Sequence, residues 1–186
     1  MIRGWFTLIV AILAVMGCSG IQVGQDYDPA TPMDTLGNFR WSTDAQAKTG
    51  DPRIDNPLRD TRIRTAVERV LTEKGFTRST GDAPTFVIRY QYVLRQRVES
   101  SGTSSGIGFG IGRYGRHGGI AIGTGDTIRQ YDEGMLVVDF LVPDSDQLLW
   151  RGTGTQRFRQ YDDPTKTSRD INRLVEAVLK QFPPDK

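Results

Sequence analysis

Three segments in which apolar and polar residues alternate lie between two segments whose apolar residues recur at helical spacing. This order restricts the fold more than any other feature of the chain. In segments 86–95, 135–142 and 148–158, apolar residues recur at every second position, which is typical of strands with one buried face. The apolar residues of 56–75 and 168–184 instead recur at helical spacing. Both helices need an apolar surface to cover, and a sheet with a single apolar face supplies it.

The pattern predicts an α+β fold: a two-layer sandwich with a mainly antiparallel sheet of about four strands and two helices on one face. The fourth strand is the short aromatic stretch "NFRWS", residues 38–42, ahead of the first helix. Asn56 and Pro57 are residue types that begin helices, and Gly75 is a type that ends them. Ser168 is the expected cap of the second helix.

The first residues predict a lipoprotein export signal. Arg3 precedes an uncharged stretch, residues 5–16, which is too short to cross a bilayer but has the length of the apolar region of a signal peptide. The tetrapeptide VMGC at 15–18 has the arrangement of a bacterial lipobox, in which the cysteine is acylated. The alternatives are an ordinary signal peptide with an incidental cysteine, or a buried N-terminal helix.

The lipobox interpretation divides the chain into a signal peptide at 1–17, a lipid-anchored tether at 18–35 and a single α+β domain at 36–186. The tether is predicted from the Gly, Pro, Asp and Ser residues that follow Cys18. Acyl chains such as palmitate on Cys18 would hold the protein at a membrane without a spanning helix. Ser19, rather than Asp, resembles the choice found in lipoproteins sorted to the outer membrane, so we expect the domain on its periplasmic face.

Charge and the counts of Cys and His exclude several kinds of site. The chain has 24 Lys and Arg against 22 Asp and Glu, and the signal peptide removes one base, so the mature chain is close to neutral. No strong field attracts nucleic acid. Cys18 is the only cysteine and His117 the only histidine. The chain is therefore expected to form neither an internal disulfide nor a zinc site.

A glycine-rich insertion at 100–126 contains GIGRYG at 110–115, which matches the string G-x-G-x-x-G. A dinucleotide site with that fingerprint needs a following helix, whose N-terminus receives the pyrophosphate. No segment with apolar residues at helical spacing follows here, so neither a nucleotide nor another cofactor is expected. The insertion is either a long hairpin loop or an extension of the flanking strands. Its tip carries Arg113 and Arg116, candidate contacts for an anionic partner.

Arginines also dominate the polar face of the predicted sheet. The alternation places four of them opposite the apolar face: Arg89, Arg95, Arg151 and Arg157. Arginine makes bidentate contacts with carboxylates and phosphates, so this face is a candidate site for an acidic protein, an anionic lipid or a glycolipid. Alternatively, it is only the soluble face of the sheet, with Asp139 among its ionic partners. No set of residues assembles a catalytic centre, so no enzyme activity is expected.

Several short stretches, in their order and spacing, resemble the bacterial lipoprotein family known as domain of unknown function 4136: the lipobox, then "YDP", "FRW", "IRTAVERVLTEKGF", "LLWRGTGTQ" and "INRLVEAVLKQFP". The resemblance extends over residues 25–183. Its most specific parts are Trp150-Arg151-Gly152 and Phe182-Pro183. It implies a lipid-anchored envelope protein with an α+β domain, and it carries over no catalytic residue.

The leading hypothesis is a non-enzymatic outer-membrane lipoprotein that acts as a periplasm-facing interaction or assembly module. Its partners would be the membrane, through acyl chains on Cys18, and an envelope protein that the sequence does not identify. The first alternative is a binder or carrier of an anionic lipid or glycolipid; a carrier needs an apolar cavity between helices and sheet. The second is a hydrolase, which needs polar side chains converging in a cleft.

Overall fold

The computed structural model describes residues 20–44, 46–81, 83–100 and 128–184. Two helices, α1 (Pro57–Glu73) and α2 (Pro164–Leu179), pack on one face of a six-stranded sheet. The strands are β1 (Gln22–Tyr27), β2 (Asn38–Trp41), β3 (Thr77–Arg78), β4 (Phe86–Ser100), β5 (Ile128–Leu141) and β6 (Leu148–Arg157). A single 3-10 turn covers Met33–Thr35. The α+β class is confirmed, and the sheet has two more strands than expected.

The sheet is mixed, with the strand order β1-β6-β5-β4-β2-β3. β1, β6, β5 and β4 pair antiparallel, as predicted for the three long strands. β2 pairs parallel with both β4 and β3. A parallel pair needs a crossover connection, and α1 provides the one between β2 and β4.

The helix boundaries follow from local capping chemistry. The side chain of Asn56 accepts a hydrogen bond from the backbone N–H of Arg59 at the start of α1, and Gly75 has a φ of +91° just beyond its end. The expectation that Ser168 caps α2 is wrong. The cap is Asp163, whose carboxylate accepts a hydrogen bond from the backbone N–H of Thr165 at 2.8 Å. Asp followed by Pro is a strong helix start, so α2 begins one turn earlier.

The tether predicted for residues 18–35 is wrong where β1 lies, and the domain therefore begins before residue 36. β1 pairs with β6 along its whole length. The indole N–H of Trp150 donates a hydrogen bond to the Gln25 side chain at 3.0 Å, which connects this strand to the core. The sequence did not predict β1, because turn-forming residues surround it. As an edge strand with a single neighbour, it also has only a short apolar pattern. The predicted signal peptide, Cys18 and the run at 101–127 lie outside the described residues.

The core between the two layers is centred on a cluster of aromatic rings. Phe182, which follows α2, lies 4.6 Å from Phe140 and 5.2 Å from Trp150, measured between ring centroids. Phe76 and Phe86 complete the cluster at 5.4 Å and 6.3 Å from the same ring. Trp150 and Phe182 are fully buried. Offset and edge-to-face ring contacts at these distances add to the stabilisation from burial.

Two inward-facing glycines of β6 let α2 approach the sheet closely. A Cβ atom at Gly154 would lie 2.5 Å from Cγ2 of Val178 and 3.0 Å from Cδ1 of Leu174. A Cβ atom at Gly152 would lie 2.7 Å from Cγ1 of Val178 and would also meet the indole of Trp150. The absence of side chains at these two positions therefore sets the distance between the layers.

Gly154→Ala should lower the free energy of unfolding by about 1–3 kcal/mol, because the added methyl group must displace α2 from β6. Gly37→Ala is the matched control, since a Cβ atom there meets nothing within 4 Å and the backbone is not in the left-handed region. Urea unfolding followed by circular dichroism measures both variants. Equal stability of the two variants would contradict the packing argument.

Candidate functional site

The face of the sheet opposite the helices, called here the open face, carries the four arginines that the alternation placed there. The strand register brings Arg89 and Arg151 to either side of Asp139, and Arg95 and Arg157 to either side of Glu133. Asp139 and Glu133, the two acidic residues of β5 on this face, thus each have an arginine directly opposite on both neighbouring strands. The other candidate site residues, Cys18, Arg113 and Arg116, lie outside the described residues.

Asp139 is enclosed by its two arginines. Its carboxylate accepts hydrogen bonds from Nε and Nη2 of Arg151 at 2.6 and 2.8 Å, and Nη2 of Arg89 lies 3.6 Å away. The Asp139 side chain is only 7% exposed, whereas those of Arg151 and Arg89 are 44% and 38% exposed. The hydrogen bonds that Arg151 donates to Asp139 raise the pKa of its guanidinium. The carboxylate therefore lies beneath its partners, and the positive groups reach the solvent.

Glu133 is also buried beneath an arginine, at the second charged level of the open face. Nε of Arg97 donates a hydrogen bond to its carboxylate at 3.0 Å. Arg157 lies over the ring of Tyr131, 4.7 Å from its centroid, and Arg95 is exposed. The sequence alternation did not indicate the pair of Arg97 and Glu133, because it depends on the register between β4 and β5.

Short uncharged side chains fill the open face between these two charged levels. One row holds Gln91, Val137 and Thr153, and the next holds Val93, Met135 and Thr155. Apart from the exposed Gln91, these residues are half-buried. A weakly apolar centre bordered by arginines is a surface composition typical of protein interfaces. The guanidinium groups at its border suit carboxylates or phosphates on a partner.

A second cluster of charged residues lies on the helix side, at the start of α1. The guanidinium of Arg59 packs between the rings of Tyr92 and Phe158, at 5.2 and 5.3 Å from their centroids. Its Nε is buried without a hydrogen-bond partner, and burial lowers the pKa of this group. These contacts join residues far apart in the chain, so no local sequence signal predicts them.

An adjacent cleft of about 320 Å³ is lined by residues that include Asp60, Arg64 and Tyr90. The Tyr90 hydroxyl donates a hydrogen bond to Asp60 at 2.6 Å, and Arg64 Nε donates to the same carboxylate at 2.9 Å. Burial, together with the hydrogen bond to Asp60, raises the pKa of Tyr90. A carboxylate already committed to two strong donors is poorly suited to act as a general base.

Within residues 20–44, 46–81, 83–100 and 128–184, no group of three or more His, Cys, Asp and Glu side chains is placed to hold a metal ion. Over the same ranges, neither helix is long and apolar enough to cross a membrane.

Asp139→Asn should lower the free energy of unfolding by about 1–3 kcal/mol, because two arginines lose their buried counterion while remaining partly solvated. The matched control is Asp146→Asn. Asp146 is 94% exposed, and its carboxylate lies 3.4 Å from Nη1 of Arg89, so its loss should cost less than about 0.5 kcal/mol. Urea unfolding at neutral pH measures both. If Asp139→Asn lowered the free energy of unfolding no more than Asp146→Asn, enclosure of Asp139 by arginines would not contribute to stability.

The chain is similar to several solved structures at low sequence identity. A DUF4136 family protein from Bacteroides thetaiotaomicron superposes with a TM-score of 0.51 at 11% identity, over 88% of this chain and 96% of that one. A PDZ domain protein from Parabacteroides distasonis gives a TM-score of 0.50 at 12% identity, over 90% of this chain. This chain spans only 36% of the length of that protein. A PelC dodecamer from Paraburkholderia phytofirmans gives a TM-score of 0.48 at 12% identity, over 89% of this chain and 99% of that one.

No curated protein matches the sequence. The family model of the domain of unknown function DUF4136 matches residues 23–184. The match begins inside β1 and includes all the later strands and both helices. The chain therefore belongs to the DUF4136 family.

Proposed function

We propose that this protein is a non-enzymatic, lipid-anchored protein of the cell envelope whose open face binds an acidic protein partner. The anchor is Cys18, the location is the periplasmic face of the outer membrane, and the domain acts as an interaction or assembly module. The observation that carries the proposal is the open face itself. It has a half-buried, weakly apolar centre between two charged levels whose arginines lie over Asp139 and Glu133.

The arrangement of charge on this face favours an acidic partner. Asp139 and Glu133 are buried, while Arg89, Arg97 and Arg151 project into solvent. An acidic surface could bind these guanidinium groups in bidentate fashion without displacing the internal pairs, because each guanidinium has five donors. Complementary charge mainly speeds association and selects among partners, and the uncharged centre supplies buried area.

The interior is poorly suited to the alternative role of a lipid carrier. A carrier needs an apolar cavity large enough for acyl chains, and here the rings around Phe182 occupy the space between helices and sheet. The 320 Å³ cleft beside Asp60 lies between α1 and Tyr90 of the sheet, and it is partly lined by charged residues. The alternative that remains is a protein that binds only a lipid headgroup, on its open face.

Cys18→Ala should release the protein from the membrane fraction of the cells that produce it, because acylation of Cys18 is the proposed anchor. The measurement is fractionation followed by mass spectrometry of the N-terminal peptide. Ser19→Ala serves as the control, since it leaves the cysteine in place. A Cys18→Ala protein that still sediments with membranes would overturn the anchor.

A photoreactive amino acid at Val137 or Thr153, on the open face, should form a covalent adduct with an acidic protein in intact cells. The same amino acid at Thr72, exposed on the outer side of α1, is the matched control and should give none. Arg89→Gln should weaken the adducts, because it removes a partly exposed guanidinium at the border of the face. Equal adducts at Thr72 would contradict a specific open-face partner, and adducts with lipid alone would favour the headgroup binder.

A further inference from the structure

The chain between Cys18 and the first strand is too short to act as a flexible tether. Two peptide units separate Cys18 from Gly20, and they span at most about 7 Å. Ile21 already packs against the core, and β1 begins at the next residue. An acyl anchor on Cys18 would therefore hold the start of β1 close to the bilayer.

The strand register identifies what else lies at that end of the molecule. Gln22, at the start of β1, pairs with Thr155 near the end of β6, and Thr155 pairs with Met135 near the start of β5. Beyond this level β6 soon ends, while β4 and β5 continue as a two-stranded extension formed by residues 96–100 and 128–132. At about 3.3 Å per residue the extension is roughly 16 Å long.

The exposed charged side chains at this end include more arginines than acidic residues, and one exposed residue is apolar. Arg95, Arg129 and Arg159 are exposed and form no ion pair with any other described residue. Val98, on the extension, is 66% exposed.

Most of the acidic groups at this end are already neutralised or covered. Glu133 accepts a hydrogen bond from Arg97, and Asp132 accepts one from Nη1 of Arg53 at 2.6 Å. Glu99 is exposed on the extension, and Asp162 is exposed beside the start of α2. The three arginines without an ion pair outnumber these two exposed acidic groups, of which Glu99 lies opposite Arg129 in the strand register.

We propose that this end of the sheet, formed by the extension and by Arg95, Arg129 and Arg159, lies on the bilayer surface and contacts anionic phospholipid headgroups. The inference rests on the proposed acylation of Cys18, which fixes the end that faces the membrane. Arginines within reach of an anionic surface are attracted to it, and an exposed apolar side chain can enter the interface. The strands then run away from the membrane, and the open face stands free for its protein partner.

The test supplies the anchor chemically, so that it does not depend on acylation in cells. The chain from residue 18 onward contains every described residue of the fold. Its single thiol is coupled to a maleimide-bearing lipid in vesicles of phosphatidylcholine, with or without phosphatidylglycerol. A fluorescent amino acid replaces either Val98 on the extension or Ser145 in the β5–β6 turn at the opposite end. Quenching by nitroxide-labelled headgroups then reports which end lies against the bilayer.

We expect quenching to be several times stronger at position 98 than at position 145, and stronger still with phosphatidylglycerol. Arg95→Gln, Arg129→Gln and Arg159→Gln together should remove the phosphatidylglycerol-dependent part. The expected loss in surface occupancy is about fivefold for each arginine. The matched variant carries Lys74→Gln, Arg78→Gln and Lys180→Gln, three exposed bases at the opposite end, and should behave like the unsubstituted chain.

Equal quenching at the two positions would overturn the inference. So would quenching that changes neither with phosphatidylglycerol nor with substitution of the three arginines. This outcome is distinguishable from failure of the proposed function. Absence of acyl chains on Cys18 in cells would overturn the natural anchor, whereas the vesicle measurement has its anchor in place and reports only which end touches the lipid.

Discussion

The contact between α2 and β6 determines how the rest of the molecule is arranged. Gly152 and Gly154 leave no side chains between the strand and Val178, so the helix lies directly against the backbone of the sheet. This close approach brings Phe182 into the ring cluster with Phe140 and Trp150. The cluster closes the space between the layers, and that packing leaves both helices on one side.

A sheet covered on one face must present a soluble surface on the other. Here the solution is a set of charges in which Asp139 and Glu133 of β5 each lie between arginines of β4 and β6. Direct cross-strand pairs of opposite charge stabilise a sheet, and long arginine side chains also shield its backbone. The features that keep this face soluble are the same ones that suit it to an acidic partner.

Local chemistry could be predicted from sequence where it is self-contained. Asn56, Pro57 and Gly75 specify α1 through contacts within one or two turns, and the alternation assigned the four arginines to one face. The strands β1 and β3 were not predicted, since β1 has a single neighbour and β3 is only two residues long. Pairs such as Arg97 with Glu133, or Arg59 with Phe158, depend on register and layer packing, which no short sequence pattern encodes.

The position of β1 also has a consequence for how the chain reaches its folded state. Its partner β6 is far along the chain, as the hydrogen bond between Gln25 and Trp150 across 125 residues illustrates. Such non-local pairing raises the contact order and slows folding, because a long loop must close before the strand gains any contact. During synthesis, β1 emerges early but stays unpaired until nearly all the sheet has followed. Completion of the fold is thus coupled to arrival of the C-terminal third of the chain.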